Sequence, residues 1–383
     1  MRLVHMKIGI VVRILWPAGT QFISINEARE LQSLGHDVTL FFLRGTEKGK
    51  IYMELLKDIN YKVLTWKNDS RIVKLYDLIT GVFLESRKGD GRVDYNLVHD
   101  FYKIISGQHF DLLICHDQWA GVAGFYSLKK LGIKYIVYIH ERVNNYPTMK
   151  GLVKRVLVNI ILRYQYKILK NAINIYGVTE KVSNSVTNLY NLKSSANVPG
   201  MEQYPFGKYS GKKNIITSLS HWSDVKHPEK YLNLISKMPN FKFLFLGTWT
   251  SQSYKESFLK KAKELNVSKN IELFEQISQQ EKSTILKESK FFIRFGWDEY
   301  GSPIGIIEAL EYGLPIICND ELGISNDISI NKLGLVLNNL DADNINKFLD
   351  DIDNEIEYFK IQNNIKEYII AHSWQKHVEM FLK

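Results

Sequence analysis

The sequence has few of the residues that mark disulfide-stabilised, fibrous or membrane-spanning proteins. Only two of its 383 residues are cysteines, and each lies in an apolar run. This excludes a disulfide framework and a zinc ribbon and fits a reducing compartment. Glycine (24) and proline (8) are too few for a fibrous chain. No apolar run approaches the roughly 18 residues that cross a bilayer, and charges interrupt the only candidate signal peptide. We therefore expect a cytoplasmic protein.

The composition is that of a globular chain with an uneven distribution of charge. Apolar residues make up 45% of the chain and charged residues 24%, and the length suits two domains. Residues 1–205 contain 28 Lys and Arg against 17 Asp and Glu, a net charge of +11, whereas the remainder has a net charge of −2. This asymmetry indicates an anionic partner for the first half: a membrane surface, a phosphorylated substrate or a nucleic acid.

Both halves alternate short apolar runs with helical periodicity, which predicts an α/β fold with two parallel sheets. A Pro-, Gly- and Ser-containing stretch at 194–213 separates the halves and reads as the interdomain linker. We predict strands at 7–12, 38–42, 112–115, 135–139, 173–177, 214–219, 241–246, 271–274, 291–295, 314–318 and 334–337. We predict helices at 24–34, 228–238, 256–265, 281–288 and 303–312, and two more at the C-terminus. A cleft between two such domains is a natural ligand site.

Polar residues follow two of the predicted strands of the first half. His116 comes directly after one strand and His140 after another. Ligands of open α/β sheets bind outside the carboxyl ends of the strands. Both histidines are therefore candidates for a functional role, and the alternative is an ordinary loop or helix cap.

The segment 291–319, FFIRFGWDEYGSPIGIIEALEYGLPIICN, carries the strongest functional pattern. A strand leads into an acidic, glycine-containing loop and then into a helix. The free N–H groups of that helix, around Ile304, suit phosphates. Gly301 and Gly305 allow close approach of a ligand to the backbone. Glu308 lies one turn into the helix, where its carboxylate can reach the site and accept hydrogen bonds from a ribose diol; the alternative is a solvated helix residue.

This segment resembles the glutamate-containing donor motif of retaining GT-B glycosyltransferases of the family-4 type, or group 1. Glu308-Ala309-Leu310 and Gly313-Leu314-Pro315 match its second half. The motif places its first glutamate eight positions before the second, where this chain has Tyr300. Glu299 is one position further, so we interpret the 301–303 loop as carrying a one-residue insertion. The resemblance then assigns to Glu299 a contact with the donor sugar.

The resemblance covers nearly the whole chain and implies roles for further residues. Lys226 matches a lysine that grips the donor diphosphate, and His221 stands where the family has an arginine. The alternative for Lys226 is a solvated loop lysine. Gly19 matches the glycine loop beside the donor, and His140 a histidine that faces the donor sugar. The resemblance implies His140, Glu299 and Lys226 as catalytic residues. It also implies the donor-binding residues Gly19, His221, Lys226, Glu299, Gly301, Ile304, Gly305 and Glu308.

The resemblance implies a GT-B fold: two Rossmann-like domains face a cleft, and a C-terminal helix crosses back to the first domain. We expect an acceptor-side domain at 1–205, a nucleotide-sugar domain at 206–365 and the returning helix at 366–383. The implied activity is retaining transfer from a UDP- or GDP-sugar to a glycan or lipid-linked acceptor. No metal or other cofactor is implied. The alternatives are a sugar-nucleotide epimerase or phosphorylase, a degenerate protein that binds the nucleotide sugar without turnover, and a nucleic-acid-binding protein, for which no motif is visible.

Residues 149–170 combine apolar residues at helical spacing with six basic and no acidic residues. The pattern predicts an amphipathic helix. It packs on the core with a solvated basic back, or it rests on an anionic membrane. We expect peripheral association with membranes.

Overall fold

The structure, a computed structural model, describes residues 5–16, 18–66, 95–143 and 152–383. The chain forms two compact units. The first consists of Met1–Gly200 and Trp374–Lys383, and the second of Met201–Ser373. The break between them thus follows Gly200 rather than residue 205. The segment that returns to the first unit begins at Trp374 rather than at residue 366.

A seven-stranded parallel sheet forms the centre of the first unit, in the order β3-β2-β1-β4-β5-β6-β7. Its strands are β1 (Lys7–Leu15), β2 (Asp37–Gly45), β3 (Tyr61–Val63), β4 (Leu112–His116), β5 (Lys134–Ile139), β6 (Asn174–Gly177) and β7 (Ser195–Ala196). The apolar runs of β1, β2, β4 and β5 are buried, as expected of a parallel sheet that is covered on both faces. Two strands were not predicted. β3 is short and half-buried, and β7 lies inside the stretch that was interpreted as linker.

Helices connect these strands and cover the sheet. They are α1 (Gly19–Ser33), α2 (Tyr95–Ser106), α3 (Asp117–Leu131), α4 (Leu152–Asn171) and α5 (Glu180–Tyr190), with 3₁₀ turns at Glu47–Tyr52 and Glu54–Leu56. The returning segment adds α13 (Trp374–Glu379), which packs on α1. A Cβ atom at Gly200 would lie 2.4 Å from the Trp374 ring, so only glycine allows the chain to pass this ring.

The second unit contains a six-stranded parallel sheet in the order β10-β9-β8-β11-β12-β13. Its strands are β8 (Lys213–Leu219), β9 (Lys242–Leu246), β10 (Ile271–Phe274), β11 (Ser289–Arg294), β12 (Ile316–Asn319) and β13 (Gly334–Leu337). All six coincide with predicted strands to within two residues. An aromatic core that includes Trp222, Phe243, Phe245 and Phe291 packs between this sheet and its helices.

The helices of the second unit include the one that the donor motif predicted. They are α6 (Tyr231–Ser236), α7 (Gln252–Glu264), α8 (Gln279–Glu288), α9 (Ile304–Glu311), α10 (Ser325–Ile330), α11 (Ala342–Asp351) and α12 (Glu355–Ala371). Single 3₁₀ turns lie at Tyr209–Gly211, Asp224–Lys226, Pro228–Lys230 and Ser268–Asn270. The predicted helix 228–238 is thus a 3₁₀ turn followed by α6. Three helices rather than two, α11 to α13, follow the last strand.

The predicted fold class is confirmed: both units are Rossmann-like, with parallel sheets and alternating helices, and the C-terminal helix belongs to the first unit. Within the described ranges, none of the helices is both long enough and apolar enough to span a lipid bilayer.

Candidate functional site

Three charged side chains form a chain at the carboxyl ends of β8 and β11. Arg294 is the last residue of β11, and its Nη2 atom donates to Oε2 of Glu299 at 2.7 Å. The other carboxylate oxygen of Glu299 lies 2.6 Å from Nζ of Lys226. Arg294 is only 1% exposed, whereas the side chains of Glu299 and Lys226 are 15% and 25% exposed. The cluster therefore has a buried end and an open end.

The charge state of Glu299 follows from these two neighbours. Burial by itself raises the pKa of this carboxyl, but the positive charges of Arg294 and Lys226 outweigh burial, and the pKa lies below its ordinary value. Glu299 is therefore an ionised hydrogen-bond acceptor at neutral pH. An ionised carboxylate at the edge of a site can accept hydrogen bonds from sugar hydroxyls.

The loop that carries Glu299 is fixed through its backbone. The Asn319 side chain, at the end of β12, accepts from the Gly296 N–H at 3.0 Å and donates to the Gly296 carbonyl at 2.6 Å. The Gly323 N–H donates to the carbonyl of Glu299 at 2.9 Å. A Cβ atom at Gly296 would lie 2.7 Å from Oε2 of Glu299. A larger residue at 296 would therefore displace the carboxylate.

Helix α9 begins immediately after this loop. Pro303 precedes it and provides no side-chain cap, so the first N–H groups of the helix, from Ile304 onward, are not satisfied by a cap. Gly301 is buried in the loop. Gly305 is needed for packing, because a Cβ atom there would lie 2.7 Å from the carbonyl oxygen of Leu219. The glycine lets α9 approach the end of β8.

Glu308 has an ionic partner that was not predicted. Its Oε1 atom accepts from Nζ of Lys282, on α8, at 2.5 Å, and the two side chains are 11% and 17% exposed. The neighbouring acid Glu311 is 5% exposed and accepts from the Glu202 N–H at 2.8 Å. Burial, together with the charges of Glu308 and Glu202, raises the pKa of Glu311 to about 8.

His221 lies in the loop after β8, as does Lys226. Its Nδ1 atom is 2.8 Å from the hydroxyl oxygen of Thr248. The ring is exposed. The residue that stands in place of the family's arginine is therefore an exposed histidine, and the Thr248 hydroxyl orients its ring.

In the first unit, two predicted residues lie at the carboxyl ends of strands. Gly19 is the first residue of α1, in the turn after β1, and Ala18 precedes it without a side-chain cap. His140 directly follows β5 and is half-buried.

His140 is the outer member of a chain of buried groups. Its Nε2 atom lies 2.9 Å from Nδ1 of His116, and Nε2 of His116 lies 2.7 Å from Oε2 of Glu27. The other oxygen of Glu27 lies 2.8 Å from Nε2 of His377, whose Nδ1 is 2.9 Å from the Val198 carbonyl oxygen. Glu27 and His116 are fully buried and His377 is 2% exposed. Four elements position this chain of groups: α1 carries Glu27, β4 ends at His116, β5 ends directly before His140, and α13 carries His377.

The electrostatics of this chain are set by Glu27. Burial by itself raises the pKa of its carboxyl, but His116 and His377 outweigh burial and lower the pKa to about 2. Burial holds the pKa of His140 well below its ordinary 6.5. The chain thus contains an ionised buried carboxylate and ends in a neutral imidazole.

Across the described ranges, no group of three or more His, Cys, Asp or Glu side chains could hold a metal ion. Asp341, in the Asp-Ala-Asp sequence before α11, accepts hydrogen bonds from the Asp343 and Asn344 N–H groups and caps this helix. Its carboxylate therefore has a structural role.

The sequence analysis did not identify Glu27, His377 or Lys282. Glu27 could have been noticed, because it stands four residues from both Ile23 and Leu31 on the apolar side of α1, where a charged residue is unusual. For Lys282 and His377 the sequence offers no such signal.

Comparison with known proteins identifies both units. Residues 19–197 match the family model described as Glycosyltransferase Family 4. Residues 202–371 match the model described as Glycosyl transferases group 1. Among curated proteins, none matches the sequence.

Several solved structures share the fold along almost the entire chain. One is the Anabaena protein Alr3699/HepE in complex with UDP and glucose (13% identity, TM-score 0.72, 98% of both chains covered). A second is the sucrose-phosphate synthase of Thermosynechococcus elongatus (13%, TM-score 0.73, 98% of this chain and 97% of the other). A third is the lipopolysaccharide outer core galactosyltransferase WaaB (13%, TM-score 0.67, 98% of both chains). The two family models cover residues 19–197 and 202–371, and the solved structures share the fold of both units. The chain therefore belongs to the GT-B glycosyltransferases of the group 1, family-4 type.

Proposed function

We propose that this glycosyltransferase transfers a sugar from a nucleotide-sugar donor to a glycan or lipid-linked acceptor, with retention of the anomeric configuration and without a metal ion. The observation that carries the proposal is the Arg294–Glu299–Lys226 chain at the start of α9. It combines a cation, an ionised carboxylate and uncapped helix N–H groups, which are the groups that a sugar diphosphate requires.

The cationic groups would act on the leaving group. In retaining transfer by same-face displacement, the bond between the anomeric carbon and the diphosphate oxygen breaks while the acceptor oxygen bonds to the same face. The acceptor's hydroxyl proton passes to the departing phosphate oxygen. Lys226 and the first N–H groups of α9 stabilise the developing negative charge, which is the largest electrostatic requirement of the step. His221 donates one further hydrogen bond to the diphosphate.

The remaining site residues would bind the sugar and the nucleoside. Glu299 accepts hydrogen bonds from hydroxyls of the donor sugar. For His140, in the first unit, the family resemblance supports a contact with a sugar hydroxyl. Glu308 accepts from the ribose diol when Lys282 shifts away from one of its oxygens. We favour a UDP-sugar over a GDP-sugar as the donor because the Anabaena protein of the same fold was solved with UDP and glucose. Gly19 and Gly301 leave room for the donor at the backbone.

Product analysis tests this function. Purified protein is incubated with UDP-glucose, UDP-N-acetylglucosamine or GDP-mannose, each alone and with a library of glycan and lipid-linked acceptors. Transfer requires an acceptor, persists in EDTA, and gives a linkage whose NMR coupling shows the donor's anomeric configuration. Conversion of the donor alone into an epimer would support an epimerase instead. Donor binding without any product would identify a degenerate member of the family. This alternative is motivated by His221, which replaces an arginine, and by Glu299, which lies one position away from the glutamate of the motif.

The basic helix α4 supports a membrane-borne acceptor. Arg163, Lys167 and Lys170 are exposed, whereas Ile168 and Leu169 are buried. This end of the helix has an apolar face on the core and a cationic face toward solvent. Each cation near an anionic membrane adds about 1 kcal/mol of attraction. We propose that this face rests on anionic lipid; the N-terminal part of the 149–170 segment, residues 149–151, lies outside the described residues.

A further inference from the structure

With Glu27 ionised, the buried chain of groups behind His140 has one consistent arrangement of protons. His377 lies between two acceptors, because Nδ1 faces the carbonyl of Val198 and Nε2 faces the carboxylate of Glu27. A carbonyl oxygen and an ionised carboxylate cannot donate. Both ring nitrogens of His377 therefore donate, and the ring is an imidazolium whose charge balances that of Glu27.

The same reasoning fixes His116. Its Nε2 faces the second oxygen of Glu27, so Nε2 carries a proton. A second imidazolium would leave an uncompensated positive charge in a fully buried site, which is strongly unfavourable. His116 is therefore neutral, and its Nδ1 is an acceptor. The partner of that acceptor is Nε2 of His140, which consequently donates.

His140 is thereby held in one of its two neutral forms. With the proton on Nε2, its Nδ1 carries a lone pair. Among the described residues, none forms a hydrogen bond with this Nδ1. The ring is also fixed in orientation, because it stacks on His116 at a centroid distance of 5.1 Å and contacts the edge of Tyr138 at 4.8 Å. The Tyr138 hydroxyl donates to the carbonyl of Asn197 and takes no part in the proton arrangement.

We propose that Glu27, His116 and His377 are positioning residues that hold His140 as the Nε2–H tautomer, so that its Nδ1 accepts a hydrogen bond from a sugar hydroxyl. The proposal rests on the proposed function for the identity of the hydroxyl group, whereas the tautomer depends on the protein alone. It assigns the returning segment a role at the site, since α13 supplies the cation that neutralises Glu27.

The tautomer is measured directly. Full-length protein with ¹⁵N-labelled histidine is examined by long-range ¹H–¹⁵N NMR near pH 7.5, and the His140 signals are assigned by their loss in His140→Asn. We expect Nε2 of His140 to be protonated and Nδ1 unprotonated, and both nitrogens of His377 to be protonated. Protonation of His140 at Nδ1, or equal populations of the two tautomers, would overturn the proposal whether or not the protein proves to be a transferase.

Variants separate positioning from folding. His116→Phe keeps an aromatic ring at this position but removes the acceptor nitrogen that holds the proton on Nε2 of His140. We expect the single tautomer of His140 to be lost and kcat to fall at least tenfold, with a smaller change in the donor KM. Glu30→Gln, on α1 three residues after Glu27 and outside the chain, is the control and should leave the His140 spectrum unchanged.

The outcomes are distinct. A folded His116→Phe protein that keeps the single His140 tautomer would overturn the proposal. If this variant does not fold, the wild-type spectrum decides. If the wild-type tautomer is as expected and the protein transfers no sugar, the proposed function fails while the proton arrangement stands.

Discussion

Nζ of Lys226 lies 2.6 Å from Oε1 of Glu299, so two groups proposed to bind different parts of the donor are already ionic partners. A diphosphate that binds Lys226 must compete with this carboxylate. In return, a sugar hydroxyl that donates to Glu299 weakens its hold on the lysine. The pair therefore couples recognition of the sugar to recognition of the phosphate.

This coupling predicts that one substitution, at Glu299, has different effects on the binding of UDP and on the turnover of the UDP-sugar. Glu299→Gln removes the negative charge beside Lys226, so the Kd for UDP should stay the same or fall up to about threefold. The kcat/KM for the UDP-sugar should fall at least tenfold, about 1.4 kcal/mol, because the sugar loses its ionised acceptor. Calorimetry measures the Kd for UDP, and initial rates give the kcat/KM for the UDP-sugar. Lys226→Met is the counterpart and should raise the UDP Kd; weaker UDP binding in both variants would contradict the coupling.

A second prediction separates the two possible roles of Glu308. Glu308→Ala should lower kcat/KM at least tenfold with the fold unchanged, because a charged hydrogen bond to the ribose is lost. Lys282→Met leaves the carboxylate in place, and we expect less than a threefold loss. Steady-state kinetics and circular dichroism of both variants provide the test. An equal loss in the two would show that Glu308 serves the ion pair alone.

A third prediction concerns His221 and pH. If the diphosphate binds the protonated ring, affinity for UDP is highest at low pH and falls as pH rises and the ring loses its charge. His221→Arg carries a permanent charge and should flatten this dependence. Titration of UDP binding between about pH 5.5 and 8.5 compares the two proteins. Parallel profiles would remove His221 from the phosphate site.

Glu311 predicts a pH effect on stability. Its pKa is raised from 4.5 to about 8 in the folded protein, so the folded state retains a proton that the unfolded state releases above pH 4.5. The free energy of unfolding therefore decreases as pH rises from 4.5 to 8. Glu311→Gln keeps an oxygen for the Glu202 N–H and should flatten the decrease, which stabilises the protein at pH 8 by about 1 kcal/mol or more.

Urea unfolding across this pH range measures the effect. Glu367→Gln, an exposed position of α12, is the control and should follow the wild-type curve. A Glu311→Gln curve with the wild-type slope would mean that Glu311 is ionised in the fold.

The last prediction concerns membranes. Co-sedimentation with anionic vesicles should be strong at low salt and lost at high salt, because the attraction is screened. Replacing Lys154, Arg155 and Arg163 with Gln should weaken it. Equal partitioning onto neutral and anionic vesicles, or none at low salt, would leave α4 as an ordinary core-facing helix with a basic back.

Local pattern was sufficient to predict most of the fold. The buried strands β1 and β11 are continuous apolar runs with clear ends, and each such run became a strand. β3 and β7 were missed because they are too short to show a periodicity: β3 has three partly buried or exposed residues and β7 has two exposed ones. Their pairing comes from a neighbouring strand rather than from their own sequence.

The site, too, was predicted only in part from the sequence. The sequence motif gave Glu299 and Glu308, but not their partners Arg294 and Lys282. Lys282 comes from a different helix, 26 positions before Glu308, and such pairs depend on the packing of α8 against the end of the sheet. Arg294 is buried against Glu299, and the sequence pattern did not indicate this pairing.

The contact between Glu27 and His377 spans 350 positions, and the entire second unit lies between them in the chain. Synthesis proceeds from the N-terminus, and domains generally fold as they emerge. When the first 200 residues have left the ribosome, Glu27 still lacks the imidazolium that neutralises it. An unpaired carboxylate in a core is strongly destabilising. The first domain therefore reaches its final form only after the second has been made, and in this chain the domain that begins first is completed last.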